Sequence, residues 1–433
     1  MKEECLEKFR DSVVKLILWL ANVDPERKLE FKDRKLYEKL STLSMNAKKL
    51  FVKCLLGESI DGAKEWINIF NEELKRAATA IGALGWLFSK EFRSFIEDPE
   101  AHLIKKLFIY FHDVLRGRIS LEEFEEKGRA AIKTSLRTNL RSLYQNWGLA
   151  AILEVLGKKF NARILYPEHK YVSLERSGKQ RTGIIPPNII LKLSNGGELS
   201  FFLEAPRPVS WADTHDLQRV WKLYTTLRPD LLIYGGRMMN ILDLSSEPPI
   251  KRPNIILEFK ELEDWYVRIR DLRGPFIKRL SAEEWRSRWV RGLWEGLADV
   301  LGVKREILEE SRKIPATALR VPETKLIQLY KAVYKPDKML LVCRTKLPEN
   351  IASELESNGI AVYHNIGFNS SALEPVANEI VQFSKKVGPM FITSTEIKEI
   401  LGIDNVDELK LLETLKKFLK TKKREFKKLL DMG

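Results

Sequence analysis

Hydrophobic positions change period once along this chain. Through residues 1–135 they recur three and four apart, as at Phe9, Val13, Leu16, Ile17 and Leu20, which predicts helices. Ser120-Leu121-Glu122-Glu123 has the form of a capping box and predicts a helix to about Arg141. A second helix is expected over about Ser142–Lys159, with Leu143, Trp147, Ala150, Ala151, Leu153 and Leu156 as its apolar positions. Short apolar runs bounded by turn residues then predict strands at Asn188–Leu193, Glu198–Glu204, Arg228–Tyr234 and Asn254–Lys260. Asn195-Gly196-Gly197 joins the first two as a hairpin-type turn, and Leu244–Pro253 reads as a loop between the last two. An Arg- and Trp-rich helix at about Ala282–Leu301 follows, then a strand at Lys338–Arg344, a helix at Glu349–Asn358 and a strand at Ile360–His364. Helical, Lys-rich sequence closes the chain. These elements predict a helical N-terminal domain (1–138), a mixed α/β domain (139–388) and a basic helical C-terminal region (389–433).

Length and composition narrow the function. The 433 residues suffice for two or three domains with cores. A net charge of +14 and a pI near 9.4 favour polyanionic partners, nucleic acid above all. Cys5, Cys54 and Cys343 are widely separated and odd in number, so a disulfide framework and a cysteine metal site are not expected and the thiols are taken as reduced and buried. Lys15 and Asn22 interrupt the apolar stretch Val13–Val23, which argues against a signal peptide, and no run of 18 apolar residues exists. A cytoplasmic protein is therefore expected. The wealth of Lys, Glu, Leu and Ile and the presence of only five Gln suit a thermophile. A small-molecule enzyme is disfavoured, because no phosphate-cradling glycine motif, nucleotide fingerprint or supported nucleophile–His pair is found.

Two predicted strands carry charge at one end. Asp230 opens Arg228–Tyr234, and Glu258 and Lys260 close Asn254–Lys260. If the two pair antiparallel, the start of one lies beside the end of the other. Glu258 and Lys260, two apart, then share a face, while Leu257 and Phe259 point to the other. If Glu198–Glu204 also pairs antiparallel with Arg228–Tyr234, Glu204 reaches the same corner. Carboxylates this close repel unless a cation neutralises them. Mg²⁺ or Mn²⁺ would take their oxygens and activate water, with Lys260 stabilising charge on a phosphoryl group or orienting the water. Either motif alone is also what a turn Asp and a surface ion pair look like.

At Pro229-Asp230 and Glu258-Phe259-Lys260 the chain resembles the PD-(D/E)XK nuclease superfamily over about residues 140–365, where the order of helix, strands, helix and strand matches as well. The resemblance implies a restriction-endonuclease-like mixed sheet flanked by helices. It also implies metal-dependent cleavage of phosphodiester bonds, in DNA by preference, with Asp230, Glu258 and Lys260 as catalytic residues. The family often adds an acidic residue from the helix before the sheet, and Glu154 is the candidate here. Asp230, Glu258, Glu204 and Glu154 then make up the expected metal set. The 28 residues from Asp230 to Glu258 are long for a hairpin, and the loop with Pro248, Pro249 and Pro253 has to account for them.

Basic residues offer routes to phosphate. Arg129, Lys133, Arg137 and Arg141 recur every four positions as a stripe on one predicted helix, which is read as a nucleic-acid contact or a solvated face. Arg286 and Arg288 lie on the helix after the motif, among Trp285, Trp289 and Arg291, and are expected to line a groove beside the site. His215, a conceivable acid/base group, is read as structural. The tail from Lys416 to Lys428 is a basic amphipathic helix that can touch nucleic acid, dock on the core or mediate a homodimer or larger assembly. The rival to a nuclease is a non-catalytic nucleic-acid-binding or scaffold subunit on the same fold.

Overall fold

The computed structural model describes residues 2–175, 185–205, 207–211, 221–224, 228–241, 243, 250–271, 297–302 and 320–386. The described residues fall in one compact unit ending at Lys386. The predicted tail helices, most of the helix at 282–301, His215, Arg286 and Arg288 lie outside them.

Helices fill the first third as predicted: α1 (Lys2–Val23), α2 (Arg34–Ile81), α3 (Lys90–Glu97), α4 (Pro99–Lys106), α5 (Phe108–Leu115) and α6 (Leu121–Phe160). Ser120 caps α6 as its sequence requires, its hydroxyl accepting from the Glu123 amide at 3.2 Å. The break expected near Arg141 is absent. No Gly or Pro terminator stands there, and α6 runs 40 residues before Asn161 closes it in the left-handed conformation. The domain boundary expected at 138 therefore lies inside a helix.

The strands are β1 (Gly85–Leu87), β2 (Arg163–Tyr166), β3 (Tyr171–Ser173), β4 (Ile189–Lys192), β5 (Gly197–Leu203), β6 (Arg207–Trp211), β7 (Trp221–Tyr224), β8 (Leu231–Gly235), β9 (Ile255–Lys260), β10 (Ile269–Asp271), β11 (Arg320–Pro322), β12 (Lys338–Cys343), β13 (Ile360–Tyr363) and β14 (Lys385–Lys386). Helices α7 (Glu323–Tyr334), α8 (Glu349–Ser357) and α9 (Glu374–Gln382) accompany the later ones. The fold is mixed α/β. Its main sheet has the order β13-β12-β9-β8-β5-β4-β2, with β14 also paired to β5. β12 is parallel to both β9 and β13, and the other neighbours are antiparallel.

Alternation along the strands divides the interior in two. Phe201, Leu203, Leu231, Ile233, Leu257 and Phe259 join the core made with α1, α2 and α6. Phe202, Leu232, Tyr234, Ile256 and Leu341 join a second core with Ile327, Tyr330 and Tyr334 of α7. One apolar cluster thus runs from α1 into the sheet, without a separate core for the N-terminal helices.

Cys5 and Cys54 are joined in a disulfide between α1 and α2, which corrects the expectation of three reduced thiols. A sequence separation of 49 residues hides this proximity, and only the packing of the two helices creates it. Cys343 is buried and free. No described helix is long and apolar enough to cross a membrane.

Candidate active site

Strand register assembles the site. Leu231 faces Leu257 across β8 and β9, and Leu203 faces Leu231 across β5 and β8. One step further, Asp230 meets both Glu258 and Glu204. Two bonds lock the first pair: the Asp230 amide donates to Glu258 Oε1 at 2.8 Å, and the Phe259 amide donates to Asp230 Oδ2 at 2.8 Å. The Glu204 amide donates to the Asp230 carbonyl at 2.9 Å. Glu204 has φ 39°, a left-handed conformation uncommon for a residue with a side chain, where β5 ends. All four expected residues of the corner, Asp230, Glu258, Lys260 and Glu204, are brought together, and each is buried.

Lys260 is held between two carboxylates, with Nζ 3.5 Å from Glu258 Oε2 and 3.2 Å from Glu323 Oε2. It also sits over the Trp265 ring, 5.5 Å from the centroid. Glu323, at the first turn of α7, accepts from Arg270 Nε at 2.5 Å as well. Burial alone pulls the Lys260 ammonium down, but Glu323, Glu258 and Asp230 together hold it above its ordinary value. Burial pushes Asp230 up to about 6 despite Lys260 and Arg141. Burial, then the neighbouring Asp230 carboxylate, pushes Glu258 up to about 8.

Arg141 leaves the predicted stripe for the corner. Its guanidinium is raised on balance, because Asp230, Glu204 and Glu261 outweigh the burial that lowers it. Steps of four residues advance about 40° beyond a full turn, so Arg129 and Arg141 end about 120° apart on the helix. Arg129 and Lys133 instead line a shallow hollow with Arg10, Glu122 and Glu125, and Lys133 and Arg137 are exposed. One turn beyond Arg141, Gln145 Nε2 approaches the Asp230 carbonyl at 3.5 Å.

Glu154 is not brought to the corner. It lies about 13 Å further along α6 than Gln145. There it faces α2, with its Oε1 2.6 Å from Lys158 Nζ and 3.3 Å from Arg76 Nε. Arg76 also binds Glu73, which is fully buried. Among the described residues, no three His, Cys, Asp or Glu side chains converge closely enough to hold a metal ion. One oxygen each of Asp230 and Glu258 is engaged by a main-chain amide instead.

Sequence reasoning missed Glu323, Glu261, Arg270 and the inward role of Arg141. A carboxylate opening a helix, as in Pro322-Glu323, is an ordinary first-turn residue, and nothing local points it at Lys260. A cleft of about 1330 Å³ lies alongside, bounded by α6 and by the α3–α4 region, and reaches Glu204 and Arg228 at the corner. Comparison with protein-family models, curated proteins and solved structures gives no match.

Proposed function

We propose that the chain is a divalent-metal-dependent nuclease of the PD-(D/E)XK kind, acting on DNA. The observation that carries this reading is the register of β5, β8 and β9, which gathers Asp230, Glu258, Lys260 and Glu204 at one sheet corner. The order of elements supports it: α6, antiparallel strands through β9, α7, then β12, α8 and β13 with parallel pairing.

The donor set suits a hard cation. Asp230 and Glu258 would supply carboxylate oxygens; burial raises the titration of both against the opposing charges of Lys260 and Arg141, and a bound cation would favour their ionised forms. Mg²⁺ needs only one or two protein carboxylates, completing its shell with water and substrate phosphate, so a three-ligand cage is not required. Asp230 and Glu258 would hold Mg²⁺ or Mn²⁺, with Glu204 beside them. When bound, the cation supplies Lewis acidity and an activated water. Lys260 remains cationic and donates to a non-bridging phosphoryl oxygen; it does not serve as a base. Glu323 and Arg270 fix its position, and Arg141 balances the carboxylates on the α6 side.

The test is a cleavage panel with Mg²⁺ or Mn²⁺ over single-stranded, duplex, forked and junction DNA, with EDTA as control. Asp230→Asn, Glu258→Gln and Lys260→Ala should each lower the rate at least about a hundredfold. A Lys260→Ala protein that cuts at the wild-type rate overturns the assignment. The burial of the corner and its pairing with Lys260 and Arg141 favour one rival, a non-catalytic nucleic-acid-binding subunit. That rival predicts no cleavage of any substrate and no calorimetric Mg²⁺ binding.

A further inference from the structure

The outer side of α5 carries a row of aromatic and basic groups. Phe108, His112 and Arg116 stand four residues apart, along the helix and onto its C-cap, and so share one side of it. The Phe108 and His112 rings stack at 5.7 Å with 26° between their planes. Phe108 is 59% exposed, and Ile109 beside it is 68% exposed. Burial lowers the His112 imidazole and Arg116 adds to this; Asp113 opposes, and Arg118 and Lys48 lower it further.

Lys48 comes up from α2 against this row. It is 7% exposed, and its Nζ lies 5.4 Å from the Phe108 ring centroid and 5.8 Å from that of Phe111. A buried ammonium ordinarily has a carboxylate partner. Here two aromatic rings take that place, and burial lowers Lys48 with no carboxylate opposing it. Arg27 adds a second cation: a Cβ built on Gly117, at φ 68°, would meet its guanidinium at 2.9 Å. Arg116 donates to the Lys28 carbonyl at 3.3 Å. Nearby carboxylates are engaged elsewhere, Asp113 with Arg118, Glu26 with Lys28, and Asp24 with the Lys28 and Leu29 amides. Among the described residues, Lys48, Arg27 and Arg116 have no carboxylate partner.

We propose that this patch binds an unpaired nucleic-acid strand, with phosphates on Arg27 and Arg116 and a base against Phe108. Cations without counter-ions attract a polyanion, and the excess of +14 on the chain favours the same partner. Exposed aromatic rings beside cations suit bases that are free to stack, which a duplex does not offer. The patch is separate from the Asp230–Glu258 corner. Phe111 packs on Phe124 of α6 at 5.5 Å, and Arg141 lies roughly 26 Å further along that helix. The binding does not rest on the nuclease reading of the corner.

The test measures binding in EDTA, without catalysis. A fluorescein-labelled single strand of about twelve nucleotides is titrated by anisotropy with the full chain. Phe108→Ala, at an exposed position, should weaken binding at least about fivefold with an unchanged melting curve. Arg27→Ala with Arg116→Ala should weaken it at least about tenfold. Arg129→Ala with Lys133→Ala removes the same charge from the separate hollow on α6 and should weaken it less than about twofold. A blunt duplex of the same sequence should bind at least about fivefold more weakly than the strand. Equal binding by Phe108→Ala and wild type, an equal loss from the Arg129/Lys133 pair, or equal affinity for duplex and strand overturns the proposal. So does capture by anionic phospholipid vesicles through Phe108 when the strand does not bind, which would assign the patch to a lipid surface.

Discussion

Glu73 and Glu154 meet across the seam of α2 and α6, as Asp230 and Glu258 meet across two strands. In both pairs burial does most of the work. It pushes Glu73 up to about 7, with Glu154 adding to it and Arg76 opposing. Burial also acts on Glu154, but hydrogen bonds from Lys158, Glu73 and Ser370 bring it below its usual value. A carboxyl raised in the folded state stabilises the fold below its unfolded pKa, and that contribution is lost as pH rises through the folded value. Wild-type stability should therefore fall from pH 4.5 to pH 8. Glu73→Gln should flatten this fall by about 2 kcal/mol. Urea denaturation at both pH values checks it, and an unchanged slope refutes it. The contrast between the carboxylates also bears on legibility. Asp230, Glu258 and Lys260 could be read because strand alternation and pairing are local rules. Glu154 was misplaced because an acidic residue amid apolar helix neighbours says only that it needs a partner, not which one.

The helix α6 joins the N-terminal helices to the main sheet. Its first half packs against other helices and its second half is buried nearly all round, beneath the sheet. That change of partner, without a change of helix, produced the false boundary near Arg141. Gly148 lies where α6 meets β9, and a Cβ built there would collide with the Phe259 ring. Phe259 separates Glu258 from Lys260 on the same strand, so the close approach of helix to sheet positions the corner directly. Gly148→Ala should cost about 1–3 kcal/mol by overpacking and lower cleavage with it. Thermal melting and the cleavage assay together check this. A protein that melts normally would show that β9 yields easily and that Gly148 is not needed for the site.

Across the whole molecule, the N-terminal helices and the sheet share one core, and the Cys5–Cys54 link closes 49 residues of it. A cross-link of that length restricts the unfolded chain, so Cys5→Ser or reduction should lower stability by about 2–4 kcal/mol. Non-reducing peptide mapping should recover the linked pair and a free Cys343. Recovery of three free thiols would refute the bond. The net charge of +14 is not concentrated at the corner, where cations answer carboxylates, and the cleft beside it is lined by Glu91, Glu175 and Glu204 as well as by lysines. The expected stripe does not keep to one face of α6, since a four-residue repeat drifts around a helix and carries Arg141 about 120° from Arg129.

Local pattern was enough to read the helices, the alternating strands, and the charges that cap β8 and β9, because period and pairing are properties of neighbouring residues. The antiparallel register that unites Asp230, Glu204, Glu258 and Lys260 followed from them. The disulfide, the clamp of Glu323 on Lys260, the inward turn of Arg141 and the diversion of Glu154 to Arg76 did not. Each depends on side chains 49 to 120 positions apart or on how deeply a group is buried, and both are set by packing in three dimensions.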